Sequence, residues 1–303
     1  MKKIILLAYL ALVLLLSFSG QLPIHLASLL TPRAAPCATF DSFHTVRVQQ
    51  ATVTIFCGVD QRQQDNVLPL VDVALRAMPP GIVRTAQVFL FSDLDDGLRS
   101  EYRLLKQEGF SPSLDELRSD WTADSFLGQA FKGGVFLYVG NPAWSHDSFG
   151  IARLTVLHEM HHLLQFELLN SNRRLPLWLS EGAADDVAES ELAGLKLQVP
   201  TRSTSSFHCD YSLSQLEEEQ DDVPLACAYL EGQPAAHLLL QQGDQASYYR
   251  LLQEVGQGTS FADAFQRAYG FRLADFYGLF NGFRQSGYLI PPALPLPMGI
   301  ALP

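Results

Sequence analysis

The sequence predicts an α+β fold, with a mixed β-sheet lobe first and a mainly helical lobe after it. Between residues 40 and 140, short β-branched runs alternate with runs of helical spacing, the texture of strands interleaved with helices. From Gly150 onward, long apolar patterns at helical spacing follow one another, separated by polar or Gly-rich turns. Composition bounds the class. With 303 residues, 48% of them apolar and 17% charged, the chain can bury a full core in one large domain or two lobes, and a disordered chain is excluded.

The elements follow in order. Lys2 and Lys3 precede an unbroken apolar run from Ile4 to Leu16, followed by Ser17-Phe18-Ser19-Gly20. That is the layout of a signal peptide over 1–19, or of an N-terminal anchor, because Leu22 to Leu30 stays fairly apolar. Either reading puts the body of the protein outside the cytoplasm, secreted or tethered to the membrane. Residues 20–36, ending in Thr31-Pro32-Arg33-Ala34-Ala35-Pro36, read as a linker. The sheet lobe then spans 37–150. Val46 to Phe56 reads as a strand, Asn66 to Met78 as a helix stopped by Pro79-Pro80-Gly81, and Thr85 to Phe91 as a strand. Leu94 to Glu108 is a helix and Gly133 to Val139 a strand. A helical lobe spans 151–288. Its helices are Ile151 to Leu169, Leu177 to Leu195, Cys227 to Gln242, Ala246 to Val255, Phe261 to Tyr269 and Leu273 to Gly287. Residues 200–224 form a polar insertion, and 289–303 a Pro-rich tail.

Thirty-two acids against twenty-one Lys and Arg give a net charge of −11, with no Lys/Arg-rich run. That excludes binding to nucleic acid through phosphate neutralisation. Four cysteines fall as an early pair and a late pair. For an exported chain the expected disulfides are Cys37–Cys57 and Cys209–Cys227; four buried thiols are the other reading.

His158-Glu159-Met160-His161-His162 is the sharpest feature. Residues four apart share a helix face, so His158 and His162 can present two imidazoles to one zinc ion. Glu159 lies beside them, within reach of a water at that ion. His161, three residues after His158, is the spare histidine. A catalytic zinc needs a third protein ligand. Trp178-Leu179-Ser180-Glu181-Gly182-Ala183-Ala184 offers Glu181 on the next helix, with eighteen residues between His162 and Glu181.

These two motifs in register resemble the gluzincin zinc metallopeptidases, and among them the peptidase MA-like group. The pattern there is H-E-x-x-H, a return segment of this length, then a W-L-x-E-G-x-A-like helix. The likeness covers residues 130 to 287 and implies a thermolysin-like catalytic domain with one Zn2+ per chain. It implies His158, His162 and Glu181 as ligands and Glu159 as general base. Asp185, one turn past Glu181, would orient His158 by similarity; a surface acid beside Asp186 is the bland alternative. Tyr229, in Ala228-Tyr229-Leu230-Glu231-Gly232, resembles the family's Tyr-x-x-Gly helix start and would stabilise the oxyanion, or is simply a packed helical tyrosine. His208, Tyr211 and His237 are weaker candidates for that role. Gly133 to Gly140 is either the edge strand that pairs with extended substrate or an ordinary core strand. The aminopeptidase G-A-M-E-N segment is missing, which favours an endopeptidase. The expectation is a zinc peptidase acting on peptide or protein substrates. The rivals are a binding module of the same fold without turnover and a zinc hydrolase of non-peptide amides.

Overall fold

The computed structural model describes residues 43–288, except 84, 108–112, 114–126, 142–143, 145–148, 170–173, 200–208 and 218–224. The expected leader, linker and tail lie outside the described residues.

The run expected as one strand folds into a hairpin. β1 (Phe43–Val48) and β2 (Ala51–Phe56) pair antiparallel, with Val48 opposite Ala51. Two residues, Gln49 and Gln50, make the turn, and Gln49 takes a φ of 50°, as a two-residue hairpin loop requires. The Gln49 side-chain amide then donates to Asp72 Oδ1 at 2.6 Å, fastening the turn to the next helix. That helix, α1 (Gln61–Ala77), begins before the apolar pattern does, because Asp60 and Gln63 cap it reciprocally. β3 (Ala86–Phe91) and α2 (Leu94–Gln107) follow as expected. β4 (Gly128–Phe131), which the sequence pattern does not announce, turns back into β5 (Gly134–Tyr138).

The sheet is mixed, in the order β1-β2-β3-β5-β4. β2, β3 and β5 run parallel at its centre, and β1 and β4 are antiparallel edges. β5 is therefore interior, which corrects the edge-strand reading of Gly133 to Gly140; the edge is β4. The period of two sends Val53, Ile55, Val88, Leu90, Val135 and Leu137 to one face, against α1 and the long helix α3 (Phe149–Leu169). The other face stacks Phe89, Phe91 and Phe136 under Leu98 of α2.

The rest is mainly helical: α4 (Leu177–Gly194), α5 (Leu225–Gly243), α6 (Gln245–Gly256), α7 (Phe261–Tyr269) and α8 (Leu273–Gln285). α3 is buried almost all round. Ala152, Val156, Leu157 and Met160 meet the sheet-side core, so its polar residues sit in the interior. A second core gathers around Trp178, Tyr248, Phe265, Phe276 and Phe280. Cys209 and Cys227 form a disulfide, joining the segment 209–217 to α5. Cys57 is also disulfide-bonded, and its expected partner Cys37 lies outside the described residues. No helix among the described residues is long and apolar enough to cross a membrane.

Candidate metal centre

α3 and α4 supply the site. On α3 the four-residue spacing places His158 and His162 on one face, their ring centroids 4.5 Å apart and their planes crossed at 84°. α4 brings up Glu181, whose Oε2 lies 3.4 Å from His158 Nε2 and 3.3 Å from His162 Nε2. The two Nε2 atoms are 2.9 Å apart. One atom from each of the three side chains lies within 4.8 Å of the others, a group that could hold a metal ion.

Proton bookkeeping tests the fit. His158 Nδ1 is 2.8 Å from Asp185 Oδ1, and His162 Nδ1 is 2.8 Å from Gln165 Oε1. Both partners are acceptors, so both imidazoles carry a proton on Nδ1. Each Nε2 then points a lone pair at the other and at the Glu181 carboxylate. Three acceptors converging in a nearly buried space call for a cation. A proton can fill that role: although burial disfavours charge on His158, its hydrogen bonds to Asp185 and Glu181 raise its pKa to about 10. Zinc can fill it too. A tetrahedral ion with bonds of about 2.0–2.1 Å spaces its ligands roughly 3.3 Å apart. The two Glu181 separations already match this value, and the nitrogens need to part by only about 0.4 Å. Burial works against the charge on Glu181 as well, but the two imidazoles hold its carboxyl well below the usual carboxylate range.

Glu159 lies on the flank. Burial raises its carboxyl above the ordinary range, while His158, His162 and a hydrogen bond from the Ala130 N–H pull the other way. β4 comes so close here that a Cβ at Gly128 would sit 2.9 Å from Glu159 Cγ. The edge strand and the carboxylate thus occupy the same small space. Tyr229 enters from α5, 6.1 Å from the His158 ring, and its phenol is hydrogen-bonded to Glu181. It reaches the site because α4 and α5 touch through glycines: a Cβ on Gly182 would lie 2.2 Å from Gly232 O, and one on Gly232 2.2 Å from Trp178 O.

The structure is similar to that of a mutant M1 zinc metallopeptidase from Deinococcus radiodurans, with 14% identity and a TM-score of 0.43. The likeness covers 85% of this chain and 54% of that one, so the chain spans about half the length of this neighbour. No family model and no curated protein matches the chain.

Of the residues singled out from sequence, the structure brings together His158, Glu159, His162, Glu181, Asp185 and Tyr229. It sends others elsewhere. His161 points away from the pair, about 100° round α3 from His162, stacked on Tyr248 at 5.7 Å, and burial, then the neighbouring imidazoles, lower its pKa to about 3. His237 pairs with Asp186 at 2.6 Å, half exposed on α5. Tyr211 packs on the helical core and its carbonyl accepts from Arg284. His208 lies outside the described residues. Sequence reasoning missed Gln165, although its place three residues after His162 on the same helix was available as a signal.

Proposed function

We propose that the protein is a zinc-dependent peptidase of gluzincin type that cleaves within peptide chains. The reading is carried by one observation: His158, His162 and Glu181 present three converging acceptor atoms, with Glu159 beside them under an edge strand. Held by these three side chains, zinc would supply a Lewis acid and a water acidified toward a pKa of about 7. Asp185 keeps the His158 proton on Nδ1 and so keeps Nε2 free to ligate. Glu159 accepts the proton of the attacking water and returns it to the leaving amine. Its raised proton affinity suits that exchange better than an ordinary carboxylate would. Tyr229, whose hydroxyl is hydrogen-bonded to Glu181, is the donor we assign to the developing oxyanion.

A peptide substrate is supported by β4. Its partner β5 lies on one side, and among the described residues no strand pairs with its other edge, where Glu159 accepts from the Ala130 N–H and an extended main chain would add alongside. β4 reads Gly-Gln-Ala-Phe and offers no carboxylate to anchor a substrate's terminal amine, which supports an endopeptidase. We also propose an extracytoplasmic location, supported by the Cys209–Cys227 disulfide. The test pairs wild type with Glu159→Gln on a peptide library, with zinc content measured for both. Hydrolysis should fall at least about 10²-fold with zinc retained at one per chain. Undiminished hydrolysis in the variant, or no zinc in wild type, overturns the assignment.

A further inference from the structure

We infer that Gln165 is the positioning residue of the second histidine: it fixes the His162 tautomer and ties that ligand to the helix that carries Glu181. The inference rests on the zinc-site reading above. Gln165 is 3% exposed and lies on α3, three residues past His162. Its amide nitrogen donates to the Ser180 carbonyl at 3.0 Å and to the Tyr248 hydroxyl at 2.9 Å. Its amide oxygen accepts from Ser180 Oγ at 3.1 Å and faces His162 Nδ1 at 2.8 Å.

The backbone carbonyl removes the ambiguity of an amide flip. Ser180 C=O can only accept, so the NH2 must face it, and the oxygen is left for His162. His162 must then carry its proton on Nδ1, which leaves the Nε2 lone pair toward Glu181. A flipped amide would set NH2 against Nδ1, move the imidazole proton to Nε2 and abolish ligation. Tyr248 reinforces the choice. Its oxygen accepts from Gln165, so its proton goes to His161 Nε2, 3.2 Å away. From His162 Nδ1 through Gln165 and Tyr248 to His161 Nε2, each hydrogen bond thus joins a donor to an acceptor. Ser180 immediately precedes Glu181, so one side chain links the second histidine to the third ligand's backbone.

The experiment compares wild type, Gln165→Met and Gln165→Glu as full chains. Zinc affinity is read by competition with a chromophoric chelator. Solvent exchange of the His162 Nδ1–H is read by nitrogen–proton NMR of the zinc-loaded protein. Methionine keeps the volume but offers no matching acceptor; zinc affinity should fall about 10- to 100-fold and the Nδ1–H should exchange freely. Glutamate keeps the acceptor for His162 but faces the Ser180 carbonyl with a second acceptor. It should melt lower yet keep near-wild-type zinc affinity and a protected Nδ1–H. A merely structural role predicts instead that affinity follows stability. Zinc affinity of Gln165→Met within twofold of wild type overturns the inference, as does a loss in Gln165→Glu equal to that in methionine. If wild type binds no zinc, the metal-site reading itself falls. If Gln165→Met does not fold, the glutamate variant alone decides, by retained or lost Nδ1–H protection.

Discussion

Replacing Gly232 with Ala tests whether the site is assembled by helix contact. The added Cβ would lie 2.2 Å from the Trp178 carbonyl oxygen and 3.0 Å from its carbon, where ordinary contact begins at 3.4 Å. A shortfall of about 1.2 Å falls on the backbone of two packed helices, and no rotamer change can relieve it. Overpacking of this kind costs about 3 kcal/mol, the upper end of the usual range. Alanine's better helix propensity returns about 1 kcal/mol. The net loss is about 2 kcal/mol, roughly 3 °C in melting temperature for a protein of this size. Gly278→Ala on α8 is the control, because nothing lies within 4 Å of its Cβ position and only the propensity gain remains. Thermal melts of the two variants should therefore separate in opposite directions from wild type. Tyr229 is one turn before Gly232, so parting the helices should also pull its hydroxyl from Glu181. A displacement near 1 Å should lower hydrolysis by up to about 10²-fold. A Gly232→Ala protein that melts with or above the Gly278→Ala control would refute the close approach.

Tyr269 is 3% exposed, and its hydroxyl has no hydrogen-bond partner among the described residues. Tyr269→Phe removes a buried donor left unpaired, so it should raise stability by about 1 kcal/mol in chemical denaturation; a loss of that size would mean the hydroxyl is satisfied. Cys209 and Cys227 are 18 residues apart, and the loop-closure relation gives about 3 kcal/mol for that constraint. The double Cys→Ala variant should show a lower denaturation midpoint by the corresponding amount, and an unchanged midpoint would mean that the segment 209–217 is held without the bond.

The two-part architecture was legible because it rests on local periodicity. Val53 and Ile55 alternate, and α7 and α8 are announced by apolar spacing and set apart by Gly-bearing turns. The errors fell where a local signal competed with a pairing partner. Val46 to Phe56 is β-rich throughout, so nothing in propensity marks Gln49 as a turn; its positive φ is held by Asp72, 23 residues away. β4 is four residues long and half exposed, too short to show a period, and exists because β5 supplies its hydrogen bonds. The first turn of α1 is polar, so apolar spacing begins late in it, and its start is signalled by the Asp60–Gln63 capping box instead.

The site divides along the same line. The three acceptors sit in two short motifs whose spacing is set by one helix and one return, so chain order alone nearly places them. What makes them acceptors is not local. The His158 proton is held by Asp185, 27 residues on, and the chain that fixes the His162 proton runs from Gln165 to Tyr248, 83 residues later. A string that matched H-E-x-x-H and W-L-S-E-G could fold with either imidazole in the wrong tautomer and bind no metal. Conversely, residues outside the group of three decide which nitrogen of each imidazole is free. The group that could hold a metal ion comes from α3 and α4, but α6 supplies the hydroxyl behind Gln165 and α5 the phenol behind Glu181. Chemistry at two helices is therefore specified by four. The acidic surplus of the chain acquires a location as well: Glu159, Glu181 and Asp185 are all at most partly exposed around one pair of imidazoles, a concentration of charge that burial penalises unless a cation is held there.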